Sequence, residues 1–197
     1  MFNPIAVARC RRHGRKRRIK PQQIRPDWPV KERVTMYWLL PAKPELEMFR
    51  GIIRILAKEF DAPLFAPHLT LSRSENVKSV GKVLSQIRAA PIRLRVREIA
   101  HSSKFTKTLF VRLAPTKSLE RLVTKLGGEA KALSDPHLSL LYKKLPAAIR
   151  RELAKTIKLP FREVTFDSIA TMSCISPTET RQNVKSWRRL VTKRLAG

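Results

Sequence analysis

The segments Pro67-His68-Leu69-Thr70-Leu71 and Pro136-His137-Leu138-Ser139-Leu140 repeat one pattern 69 positions apart. A single His-x-Thr/Ser carries no information. Two copies that share the preceding proline and both leucines do. On an extended strand, residues i and i+2 point to one side. His68 and Thr70 therefore share a face, as do His137 and Ser139, while Leu69, Leu71, Leu138 and Leu140 turn the opposite way, into a core. A proline is tolerated where a strand begins, because its missing N–H leaves no ladder bond unmade. Both segments are predicted as short strands, each presenting an imidazole and a hydroxyl.

Outward from this pair the chain alternates strands and helices. Val34 to Leu40 is rich in β-formers and stops at Pro41, the pattern of a buried strand. Pro44 can open a helix, and Leu46, Phe49, Ile53, Leu56 and Phe60 recur at helical spacing. Val77 to Ile87 reads as a second helix. Ile92 to Ile99 alternates apolar and charged residues with period 2, a strand with one wet, basic face, and Lys104 to Leu113 follows as its hairpin partner. Ser118 to Ala132 and Ala147 to Ile157 are predicted helices, with Gly127-Gly128 as a helix terminator rather than a phosphate loop. Phe161 to Ile175 and Asn183 to Leu195 are predicted strands. The Gly-rich turns and long βαβ regularity of a doubly wound sheet are missing, so the fold class is α+β.

Of 197 residues, 42 are Lys or Arg and 15 are Asp or Glu, for a formal charge of +27. The apolar fraction of 43 % is that of a globular chain, which argues against wholesale disorder. No run is apolar enough for a membrane span. Cys10 and Cys174 are too few for a disulfide framework and have no metal-ligand spacing, so no metal or cofactor is expected. A cytoplasmic, monomeric protein with no membrane partner is the expectation. Nine positive residues and no acid fall within positions 1–26, which marks 1–30 as a basic extension, flexible by composition, ahead of a domain at 31–197. Removing those nine still leaves +18 on the remaining 171 residues, so the basicity is global and favours an anionic partner or substrate.

Two imidazoles and two hydroxyls suit attack of water on a cyclic phosphodiester. A neutral histidine can act as general base, a protonated one as general acid, and hydroxyls can donate to the non-bridging oxygens. The catalytic candidates are thus His68 and His137, with Thr70 and Ser139 as phosphate contacts. The paired tetrads resemble the signature of the 2H phosphoesterase superfamily, and Pro136 to Tyr142 is most similar to its cyclic phosphodiesterase branch. The resemblance covers about Arg33 to Leu195 and includes Asp61 to Pro67, Lys107 to Val111 and Trp187. It implies two pseudo-symmetric lobes with antiparallel sheets, flanked by helices around a central cleft. It implies that His68 protonates the leaving ribose oxygen while His137 activates water, without a metal. The implied substrates are nucleoside 2′,3′-cyclic phosphates, opened to 2′-phosphates, or ADP-ribose 1″,2″-cyclic phosphate, opened to the 1″-phosphate. Tyr142 stands where the branch places an aromatic near the base, so Tyr142, with Phe105 from the hairpin, is a candidate for base stacking.

Two other readings compete. The same residues could serve an RNA 2′,3′-cyclic phosphodiesterase or a 2′-5′ RNA ligase-like end-processing enzyme, and the charge and basic extension favour contact with RNA. A non-catalytic RNA-binding module would only hold the terminal phosphate, but an intact His/hydroxyl pair argues against it. Trp187 is expected to be structural, and Cys174 to be buried and unreactive. His13 and His101 lack a hydroxyl two residues on and are background.

Overall fold

A computed structural model of the chain describes residues 31–74, 80–129 and 133–196. The basic extension, with Cys10 and His13, lies outside these residues. Among the described residues, seven strands and five α-helices follow one another as β1 (Glu32–Pro41), α1 (Glu45–Glu59), β2 (Leu69–Ser74), α2 (Val80–Gln86), β3 (Ile92–His101), β4 (Leu109–Leu113), α3 (Lys117–Lys125), β5 (His137–Leu141), α4 (Ala147–Thr156), β6 (Glu163–Ser176), α5 (Arg181–Lys185) and β7 (Arg188–Arg194). The strand pairings are antiparallel, in the order β1-β2-β5-β4-β3-β6-β7, and β1 also pairs with β6. The α+β expectation holds.

The long β6 explains how two lobes become one sheet. Its first residues, Glu163 to Phe166, pair with β3, while Phe166 to Ser176 pair with β1 and Ser168 to Ser173 with β7. One lobe is therefore β2-β1-β6-β7 and the other β5-β4-β3-β6. They meet again where the motif strands β2 and β5 touch, Leu69 opposite Leu138. Each of those leucines follows a motif histidine. In this antiparallel register, His68 falls opposite Ser139 and Thr70 opposite His137, all four on the face away from the leucines.

The core follows from that alternation. Leu69, Leu71, Leu138 and Leu140 join Tyr37, Leu39, Phe49, Phe166 and Ile169 in the main cluster. Helix α1 contributes Phe49, Ile53, Leu56 and Ala57, a stripe at 4-3-1 spacing. Helix α3 is capped by Thr116, whose hydroxyl accepts from the Leu119 amide at 3.3 Å, and it buries Leu119, Leu122 and Val123. Gly127, at φ +78, supplies the left-handed residue that ends it, and a Cβ on Gly128 would sit 2.7 Å from that of Ser72. A second, smaller cluster of Val34, Trp38, Ala170, Met172 and Cys174 covers the other face of β1 and β6. This explains why Val34 to Leu40 reads as buried on both sides.

Two boundaries differ from expectation. Asn183 to Leu195 is not one strand: Thr180 and Asn183 form a capping box that starts α5, and only Arg188–Arg194 is extended. The reciprocal side-chain bonds outweigh the β-forming residues that follow. The predicted hairpin partner starts later than Lys104, because Phe105–Lys107 forms a 3-10 turn before β4. Helix α3 ends at Lys125, and residues 130–132 of the longer predicted helix lie outside the described residues. So does the Val77 start expected for the second helix.

Candidate active site

Both motif histidines are held by the same local bond. His68 Nδ1 lies 2.7 Å from the carbonyl of Ala66, and His137 Nδ1 lies 2.9 Å from the carbonyl of Asp135. A carbonyl only accepts, so Nδ1 must donate in each case. That assigns the tautomer and leaves Nε2 of each ring free, with a lone pair when neutral. The geometry is the local consequence of a histidine at a strand entry with the carbonyl two residues back.

Their surroundings differ. His68 is only 6 % exposed and stacks on Trp38, with ring centroids 3.5 Å apart and planes 9° from parallel. Trp187 and Phe65 meet it edge-on, at 6.0 and 6.3 Å. Burial pushes the His68 pKa down to about 4; the Ala66 carbonyl acts to raise it, and the charge of His137 to lower it. His137 is partly exposed and lies edge-on to Phe110 at 5.2 Å. Its pKa is also lowered, first by burial, against the bond to the Asp135 carbonyl; Lys107 and Arg112 lower it further while the Asp135 carboxylate raises it. That carboxylate is ion-paired to Lys107 at 2.5 Å and to Arg112 at 2.8 Å. Burial acts to raise the Asp135 pKa, but the Lys107 hydrogen bond and the charges of Lys107, Arg112 and His137 hold it below the ordinary carboxylate value.

The depressed His68 pKa links to stability with a definite sign. The unfolded chain takes up the proton near pH 6.5 and the folded chain only near pH 4. Stability from this group is complete above pH 6.5 and is lost as the pH falls toward 4, by about 3 kcal/mol. Urea unfolding at both pH values should show that loss in the natural chain and a smaller one in His68→Phe. An equal loss in both would assign the acid sensitivity elsewhere.

The hydroxyls also divide. Thr70 is exposed and lines a cleft of about 200 Å³ together with His68, Trp38, Thr106, Tyr142 and Trp187, which continues along Val34, Met36 and Cys174. Ser139 is 5 % exposed, and its Oγ donates to the Thr106 carbonyl at 2.8 Å. It is the register partner of His68, but its proton is already engaged. His137, Ser139 and Phe105 do not form the wall of that cleft. Tyr142 does, yet it is 3 % exposed, with Phe65 stacked on its ring at 3.8 Å and Trp187 edge-on at 5.9 Å. Burial raises its pKa, against a hydrogen bond to Ser139 that lowers it. Phe105 sits 6.1 Å from Tyr142 at a tilt of 38°. Tyr142 thus belongs to an aromatic wall, with one face already covered. Burial likewise pushes the Cys174 thiol up to about 12, so it stays a thiol.

Sequence reasoning missed Trp38, Phe65 and Asp135. Trp38 and Phe65 lie on segments read as packing or approach. Asp135 acts in part through its carbonyl, which no residue type encodes; its place two residues before His137, matching Ala66 before His68, is the available signal.

Similarity to solved structures bears on the fold. Escherichia coli LigT complexed with 3′-AMP aligns with TM-score 0.51 and 16 % identity over 84 % of this chain and 99 % of that one. A crystal structure of a phosphoesterase aligns with TM-score 0.51 and 18 % identity over 84 % of this chain and 100 % of that one. TT0787 of Thermus thermophilus aligns with TM-score 0.50 and 18 % identity over 82 % of this chain and 97 % of that one. The chain has the 2H phosphoesterase fold. No protein-family model matches this chain, and neither does any curated protein. Coverage runs over nearly the full length of those structures, so the paired-lobe architecture is shared whole rather than as one half. Among the described residues, no helix is long and apolar enough to cross a membrane.

Proposed function

We propose that this chain is a cyclic phosphodiesterase that opens 2′,3′-cyclic, or ADP-ribose 1″,2″-cyclic, phosphates by two-histidine acid–base catalysis without a metal. The observation that carries this reading is the twin Nδ1–H···O=C arrangement, which orients two imidazoles alike and leaves both Nε2 atoms free. In the reaction, water attacks phosphorus and gives its proton to Nε2 of neutral His137. The bond from phosphorus to one ribose oxygen breaks, and protonated His68 delivers its proton to that oxygen. The product is a phosphomonoester beside a free hydroxyl. His68 ends one proton poorer and His137 one richer, and exchange with solvent restores both. Trp38 supports the cationic form of His68, since a stacked indole face attracts an imidazolium. The arriving phosphate acts in the same direction. Thr70 Oγ donates to a non-bridging oxygen, and Ser139 holds the Thr106 carbonyl in place.

Hydrolysis of 2′,3′-cyclic AMP in excess chelator, with product identification, tests the reading. The pair titrates as a unit, and the active form carries one proton between the two rings. Both pKa values lie below the ordinary histidine value, so kcat/KM should peak below pH 6.5 and then fall about tenfold per pH unit. A peak at or above pH 8, or no hydrolysis at any pH, would refute it. RNA end processing at the same site is the second reading, favoured by the charge of +27.

A further inference from the structure

Strand β3 alternates Arg93, Arg95 and Arg97 with Ile92, Leu94 and Val96, and the three arginines are exposed. Arg162, also exposed, joins Arg95, Arg97 and Phe161 around an open groove of about 580 Å³. Elsewhere in the chain arginines are held by carboxylates: Arg112 by Glu98 and Asp135, and Arg181 by Asp61. Arg93, Arg95, Arg97 and Arg162 make no ion pair or side-chain hydrogen bond among the described residues. Glu163, the register partner of Arg95, is the nearby acid, and it leaves the group strongly positive.

Register places part of this row on the same face as the histidines. His137 pairs with Arg112 on β4, and Arg112 with Glu98 on β3, so these three side chains share one face. Leu94, Val111 and Leu113 belong to the main core on the opposite face, and Ile99 packs against it. Arg93 and Arg95, which alternate with Leu94, therefore project on the face of His137. Two strand spacings and three residues separate His137 from Arg95, about 14 Å along the sheet. A single nucleotide held at the histidines does not reach that far.

We propose that this arginine row carries the phosphate backbone of a single-stranded RNA whose cyclic-phosphate end occupies the histidine pair. Same-face arginines on a strand stand about 7 Å apart, the order of the separation of consecutive phosphates in an unstacked strand. Phe161 on the groove supplies an aromatic surface on which a base can stack. The substrate class is then an RNA 3′ end rather than a free cyclic nucleotide. The catalytic half of this inference rests on the proposed function; the binding half does not.

The test is the full chain carrying Arg93→Gln, Arg95→Gln and Arg162→Gln, measured against a control with Arg54→Gln, Lys58→Gln and Arg151→Gln on the helices. Affinity for a roughly ten-nucleotide RNA ending in a 2′,3′-cyclic phosphate is followed by anisotropy across a salt series. The row variant should lose affinity, and its log–log salt slope should become shallower by about 2, from about 0.7 per phosphate contact. Its kcat/KM on that RNA should fall at least tenfold, while 2′,3′-cyclic AMP stays within twofold. An unchanged slope, or an equal change in the helix control, would overturn the proposal. So would polyglutamate displacing the RNA at equal charge concentration, which would assign the row to an acidic protein. If neither substrate is hydrolysed, the proposed function fails while the salt series still decides the row.

Discussion

His68→Ala and His137→Ala are each expected to lower kcat on a 2′,3′-cyclic nucleotide by about a thousandfold, within the 10²–10⁴ range for loss of one general acid or base. The two rings act as one proton-transfer unit, so the double variant should be little worse than either single one. A substrate whose leaving oxygen is a 4-nitrophenolate separates the roles, because such a group departs without a proton. His68→Ala should regain most of its lost rate on that substrate, and His137→Ala should not. Rescue of His137→Ala instead would exchange the roles of acid and base. Full activity in both single variants would remove the histidines from the chemistry altogether.

Trp38→Ala should cost about 3–5 kcal/mol of folding stability, the usual range for emptying a buried aromatic site. Trp38 is 3 % exposed, belongs to the smaller apolar cluster and contacts both His68 and Trp187. Removing it also takes away the surface on which the His68 ring lies flat, so activity should fall even in molecules that remain folded. Trp38→Phe keeps an aromatic face and should recover more than half of both losses. Denaturant unfolding and kcat on the same preparations check this. A stable, fully active Trp38→Ala would mean that the stack does no more than fill space.

Much of the fold and half of the site were legible in the chain as written. The alternation His-Leu-Thr-Leu and His-Leu-Ser-Leu states, through the pleat alone, that two imidazoles and two hydroxyls face away from four buried leucines, and the core contains all four. Helix α1 was legible because its stripe is long and strongly periodic. The Asn183 to Leu195 segment was not, because a five-residue helix depends on one capping box rather than on periodicity. Tyr142 and Phe105 were legible as aromatics near the site but not in their roles. Whether an aromatic ring offers a free face depends on what covers it, and Phe65 covers Tyr142. Ser139 is similar: its side of the strand follows from the sequence, but its bond to Thr106 comes from the Phe105–Lys107 turn 33 positions earlier.

The α+β class, the histidine pair and the strongly basic character all follow from local rules: strand period, helix period and charge count act within a few residues. Other features needed the folded chain. Leu69 stands opposite Leu138, Trp38 lies flat on His68, Asp135 binds two cations beside His137, and Arg93 and Arg95 share the histidine face. Each depends on strand register or on contacts between segments distant in the chain. Such pairings are set by the packing of the whole sheet, and no local pattern encodes them.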